Sequence, residues 1–178
     1  MDRKEFLKAC TGGLCACAAA ALPGRAADTP AKAEDWRLGF VKQRWAKLLA
    51  TLSQKMDEPA LVSALQDMGS FCASQGDEKI KKYAGDVVGF CEEMAKNPSM
   101  SIVRDGARKV YTQTYRPGAD CFCPFNSLAV KTPGAMCNCS VGWAKHNWAI
   151  VLGKEPKVML KEAVLRGGKA CTFEITPA

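Results

Sequence analysis

Apolar residues in the first half of the chain recur at helical spacing. Trp36, Phe40, Val41, Trp45, Leu48, Leu49, Leu52 and Met56 form one stripe, the pattern of a helix that buries one side. Asp57-Glu58-Pro59 restarts a helix, with Asp57 at the N-cap and Pro59 in the first turn. Its stripe is Leu61, Leu65, Met68 and Cys72. After Gly76-Asp77 comes a third stripe of Ile80, Tyr83, Ala84, Val87, Val88, Cys91 and Met94, stopped by Asn97-Pro98. Cys72 and Cys91 lie on apolar stripes of neighbouring antiparallel helices, so they read as buried thiols or as one disulfide.

The second half changes period. From Lys109 to Arg116, Val110, Thr112 and Thr114 alternate with Tyr111, Gln113 and Tyr115, as in a strand. Pro117-Gly118 turns the chain, and a loop carries Cys121-Phe122-Cys123-Pro124. After Thr132-Pro133-Gly134 and Cys137-Asn138-Cys139, Ser140 is placed to cap a helix over 140–152 that Gly153 ends. Residues 157–165 and 170–176 read as a hairpin about Gly167-Gly168. These elements predict an α+β fold: N-terminal helices, then a small antiparallel sheet with helix 140–152 packed on it.

Composition sets the class. The chain has 178 residues, 48% hydrophobic and 24% charged, an ordinary globular mixture. Residues 1–27 read as an export signal. The charged start Asp2 to Lys8 resembles a twin-arginine signal, with Arg3-Lys4 in place of the arginine pair. Leu14-Cys15-Ala16-Cys17 resembles a lipoprotein box, which would anchor the chain through a lipid on Cys17. Residues 28–34 form a linker and 35–178 one domain. The expected location is outside the cytoplasm, in the periplasm. Beyond the leader no apolar run is long enough to span a membrane. The net charge is +7, about +5 without the leader, and spread along the chain, which speaks against nucleic acid as a partner.

The cysteines carry the candidate chemistry. Ten are present, and those beyond the leader are Cys72, Cys91, Cys121, Cys123, Cys137, Cys139 and Cys171. Seven is odd, so at least one thiol lacks an intramolecular partner. Two Cys-x-Cys pairs, Cys121/Cys123 and Cys137/Cys139, share a side if extended. Cys139 precedes the Ser140 cap, where free N–H groups lower a thiol pKa and favour the thiolate that binds soft metals or attacks electrophiles. Two structural disulfides between the segments account for the same pairs equally well.

The hairpin adds a carboxylate. Val158, Leu160, Glu162 and Val164 share one strand face, and Cys171, Phe173 and Ile175 share the other strand's. With a two-residue turn, Val164 faces Cys171, and Glu162 becomes its diagonal neighbour, roughly 7–8 Å away between Cα atoms. A carboxylate on the core face needs a cation, a donor or a proton. His146, the single histidine, lies off the main stripe of its helix. It reads first as a rim residue, and secondarily as a pocket wall with Trp143. Tyr111, Tyr115, Phe122 and Phe125 flank the cluster as packing residues.

From Cys137 to Ile175 the chain resembles a family. Cys137-Asn138-Cys139-Ser140-Val141-Gly142-Trp143, Leu152-Gly153, Val158 to Glu162 and Gly167-Gly168-Lys169-Ala170-Cys171-Thr172-Phe173-Glu174-Ile175 resemble the C-terminal half of vinyl reductase-type ligand-binding domains. They also resemble L-2-amino-thiazoline-4-carboxylic acid hydrolase-like proteins. The resemblance implies an α+β sensor-like fold, an internal small-molecule pocket and metal binding through cysteines. It places Cys137 or Cys139, Glu162 and Cys171 at the family's polar positions.

Three functions follow. The first is an exported binding module in which Cys121, Cys123, Cys137, Cys139 and Cys171, with Glu162, hold a small molecule or a metal ion: zinc first, copper(I) or another soft metal next. The second is a hydrolase with Cys139 or Cys171 as nucleophile and Glu162 as acid/base. The third is a disulfide-stapled interaction domain.

Overall fold

The computed structural model describes residues 36–116, 121, 123 and 132–178. The leader, the linker, Phe122 and Phe125 lie outside the described residues. In order come α1 (Trp36–Lys55), α2 (Glu58–Ser74), the short α3 (Asp77–Ile80), α4 (Val87–Ala95), β1 (Met100–Asp105), β2 (Val110–Tyr115), α5 (Cys137–Leu152), β3 (Lys157–Glu162) and β4 (Cys171–Thr176). Short 3-10 turns sit at Lys81–Tyr83, Gly134–Met136 and Val164–Arg166.

The strands form one antiparallel sheet in the order β1-β2-β4-β3. Tyr111, Gln113 and Tyr115 lie opposite Ile175, Phe173 and Cys171. Alternation therefore puts all six on one face, and α5 packs there through Cys137, Val141, Ala144, Trp148 and Val151. The other side of α5 meets α2 at unusually close range. A Cβ at Gly142 would collide with the Gln66 backbone, and one at Gly69 with the Cys139 carbonyl. Glycine at both positions is what lets the two helices approach. The order of layers is sheet, α5, α2, which makes an α+β fold with a helix packed on the sheet.

One polar chain crosses the core. Trp148 Nε1 donates to Gln113 Oε1 at 2.7 Å, and Gln113 Nε2 donates to the Tyr115 hydroxyl at 2.9 Å. Gln113 and Trp148 are both fully buried, so each bond satisfies a group that would otherwise be desolvated without compensation. On the opposite face Arg108 pairs with Glu174 at 2.8 Å.

Several sequence expectations change here. α1 buries only Leu49, while Trp36, Phe40, Val41 and Leu48 are exposed. Its apolar positions go round the helix rather than down one side. The Asp57 cap of α2 forms, accepting from Ala60 N–H at 2.8 Å, and Leu61 and Leu65 are buried, but Cys72 is exposed. The stripe from Ile80 to Met94 is broken: Gly85 turns with φ +78, its N–H bonds Val151 C=O at 2.9 Å, and Asp86 caps α4 through Gly89 N–H. β1 had no sequence signal. It is an edge strand whose inward residues, Met100 and Ile102, are separated by Ser101.

Candidate functional site

Two structural features rearrange the cysteine cluster. The first is the start of α5. The 3-10 turn Gly134–Met136 runs straight into the helix, with Met136 N–H bonded to Pro133 C=O at 3.0 Å. The helix therefore begins at Cys137, three residues before the expected Ser140 cap. Residues two apart in a helix stand about 200° apart. Cys137 accordingly joins the core against the sheet, and Cys139 joins a separate cluster with Leu49, Leu61, Leu65 and Met136. The expectation that the pair shares a side is corrected.

The second feature is the hairpin. Its strands end at Glu162 and begin again at Cys171. The two-residue turn is replaced by a longer loop in which Ala163 C=O accepts N–H groups of Arg166 and Gly168, both at 3.0 Å, and Gly167 adopts φ +87. A register shift between Leu160 and Glu162 sets Glu162 opposite Thr172. Its Oε1 accepts Lys169 N–H at 2.6 Å. Glu162 is thus a cap for the loop rather than a core-face carboxylate, and this corrects its place beside Cys171 on one strand face. Its charge still reaches the Cys171 thiol.

What the fold does bring together is four thiols. Cys121, Cys123, Cys137 and Cys171 line one cavity with Met136, Ser140, Leu160, Ala163, Leu165 and Phe173. The cavity volume is about 10 Å³, room for a water or an ion. The sulfurs come from the segment after β2, the first turn of α5 and the first residue of β4. All are free thiols. Among the described residues no group of three or more His, Cys, Asp or Glu side chains is arranged to hold a metal ion.

The electrostatics also differ from the helix-terminus expectation. Burial pushes the Cys137 thiol up to about 11; Arg166 opposes this, and Cys171, Cys121 and Cys123 add to it. Burial pushes Cys139 up to about 12. Cys171 is raised by burial too, against a hydrogen bond from the Val164 backbone. Desolvation outweighs the helix N-terminus because these side chains point into the core rather than out past the helix end. A low-pKa nucleophile at Cys139 or Cys171 does not match this environment.

The remaining candidates fall elsewhere. His146 Nε2 lies 2.7 Å from Asp77 Oδ1 and lines a cleft with Gln66, Asp67, Ser70, Lys145, Ala149 and Glu155. Trp143 is not among that cleft's walls; its ring meets Tyr115 edge-on at 6.2 Å. Neither residue lines the cysteine cavity.

No family model matches the chain, and no curated protein matches it. Among solved structures it is similar to a trafficking protein particle complex subunit 3 from Naegleria fowleri, covalently bound to palmitic acid. The TM-score is 0.54 at 13% identity, covering 80% of this chain and 96% of the other. At that identity the likeness concerns the fold alone: the neighbour shares an α+β architecture.

Two walls of the cavity, Met136 and Leu165, have no signal in the sequence. Met136 precedes Cys137 and is buried, but a methionine before a cysteine carries no motif. Leu165 ends the expected strand 157–165, and Arg166 beside it stands outside the lining. Arg166 Nε donates to Gly134 C=O at 3.1 Å, tying the hairpin loop to the turn that opens α5.

Proposed function

We propose that this protein is a binding module for a soft metal ion, zinc first, held by Cys121, Cys123, Cys137 and Cys171. The observation that carries this reading is their convergence: four thiols from separate stretches of chain line one ion-sized cavity. Four thiolates are a recurrent tetrahedral donor set for zinc, and thiolate with a nearby thioether, here Met136, suits copper(I). The α5 and β4 cysteines are set in regular elements, so ion binding requires Cys121 and Cys123 to close toward them. Cys139 and Glu162 leave the ligand set, Cys139 because it faces α2 and Glu162 because it caps its own loop.

Deprotonated thiols are costly in this environment without a cation, since burial holds Cys137 and Cys171 neutral. A metal ion supplies the missing charge, and binding then releases protons. The structural neighbour is described as covalently bound to palmitic acid. A cavity of about 10 Å³ suits an ion rather than an acyl chain. The reading includes export across a membrane, with residues 1–27 as the signal.

The test is anaerobic purification of the protein, followed by metal analysis and mass spectrometry of the intact chain under native conditions. One ion per chain, lost when Cys137 and Cys171 are replaced by serine, supports the reading. Metal-free protein that takes up neither zinc nor copper(I) with its thiols reduced removes it. Peptide mapping that finds the four cysteines joined as disulfides in freshly isolated protein favours a stapled interaction domain instead.

A further inference from the structure

The first helix shows two different sides. On one, Leu49 is buried and gathers Trp45, Leu52 and Met56 against Leu61 and Leu65. On the other stand Trp36, Phe40, Val41 and Leu48, all exposed, Trp36 to 72%. Single exposed apolar residues are ordinary, but several large ones on one helix face make a patch. At 100° per residue these four fall within an arc of about 140°. Arg37, Arg44 and Lys47 fall within the same arc.

The charge of this helix is one-sided as well. It carries Arg37, Lys42, Arg44, Lys47 and Lys55 and no acidic residue. Whatever covers its outer face must accept aromatic rings, aliphatic side chains and several cations together. A second copy of the same helix would set like charges against each other. A nucleic acid would match the cations but leave Val41 and Leu48 against a polar backbone. A bilayer rich in anionic headgroups meets both demands: rings and aliphatic groups enter the boundary between headgroups and acyl chains, and the cations stay with the phosphates. The Arg44 guanidinium lies 3.2 Å from the centre of the Phe40 ring, which brings a charge and a ring to the same depth.

We infer that α1 is an interfacial helix that docks the protein on an anionic membrane surface. It lies on the bilayer and does not cross it, since no helix among the described residues is long and apolar enough to do so. This inference is independent of the metal site, which is built from other elements.

The experiment uses the full chain with vesicles of phosphatidylcholine alone, and with about one lipid in four replaced by phosphatidylglycerol. Binding is read by flotation and by quenching of tryptophan fluorescence with brominated lipid, the Trp36→Phe variant isolating the Trp36 signal. One double variant combines Arg44→Glu with Lys47→Glu; another combines Phe40→Ser with Val41→Ser; a charge-keeping control combines Arg44→Lys with Lys47→Arg. Residues 1–35 are common to all, so any lipid affinity of their own cancels in the comparison.

The expected result is binding to anionic vesicles that weakens with salt, falls about tenfold or more in the charge-reversed variant, falls in the apolar variant and persists in the control. Trp36 should be quenched only when anionic lipid is present. Circular dichroism identifies folded variants, and the altered side chains lie away from Leu49. Should a variant fail to fold, the Trp36 signal in the otherwise unaltered chain still decides. Equal flotation of all variants overturns the inference, as does unquenched Trp36. So does preferential binding of a duplex RNA over the vesicles.

Discussion

Cys137 and Cys139 are separated by one residue, yet they serve opposite sides of α5: Cys137 faces the sheet and the cysteine cavity, and Cys139 faces α2. The 3-10 turn at Gly134–Met136 extends the helix through both residues. Helical geometry then separates the two sulfurs that an extended chain would have put together.

This split makes a direct prediction for metal affinity. Replacing Cys137 or Cys171 by serine should weaken zinc binding by at least ~100-fold, an effect at the upper end of what even second-layer metal partners produce. Replacing Cys139, or the exposed Cys72, should leave affinity within about twofold. Competition with a chromophoric chelator measures both. Loss of binding on Cys139→Ser in a folded protein would contradict the assignment.

Alkaline stability follows from the thiol environments. Burial raises Cys137 to about 11 and Cys139 to about 12, above the ordinary thiol value of 9.0. The folded state therefore keeps protons that the unfolded chain gives up. This contribution is complete below about pH 9 and is lost as pH rises through 11 and 12. Chemical denaturation of metal-free, reduced protein should show stability falling over that range. Cys137→Ala with Cys139→Ala should flatten the fall.

The two helix glycines should not tolerate a methyl group. Gly142→Ala drives a Cβ into the Gln66 backbone and Gly69→Ala drives one into the Cys139 carbonyl. Neither obstacle is a side chain that can rotate away, so α2 and α5 must separate. The expected loss is about 1–3 kcal/mol for each, the usual cost of overpacking, measured by urea denaturation. An alanine that is neutral at both positions would show that the helices do not approach this closely.

Gln113→Leu tests the polar chain through the core. It leaves the buried Trp148 Nε1–H without its acceptor, at an expected cost of ~1–3 kcal/mol. Gln113→Glu keeps an acceptor, but adds a buried charge in its ionised form. Its stability should therefore improve as pH falls through the raised carboxyl pKa.

The local signals reported local structure well. The Asp57 cap, the Gly153 stop, the β2 alternation and the Phe173/Ile175 core face are properties of a few neighbouring residues, and backbone sterics and side-chain period express them directly. The α+β class follows from their sum. Where a pattern depended on what lay opposite, the residues alone were ambiguous. The stripe of α1 has the right spacing for a core face, but its neighbours cover only the side around Leu49. β1 carries too few large apolar residues to announce itself, and it forms because β2 offers a free edge.

For the site, the chain itself determined which atoms were available: seven thiols after residue 27, one imidazole and a hairpin with Glu162 near its end. Their grouping was decided only in three dimensions. Cys121, Cys123, Cys137 and Cys171 meet because sheet pairing and the packing of α5 bring distant stretches of chain to one cavity. Cys139 and Glu162 depart because an early helix start and a register shift rotate them away. Residue type sets what a side chain can do, but its direction depends on backbone hydrogen bonds closed with other segments, and those partners are not encoded in the neighbouring residues.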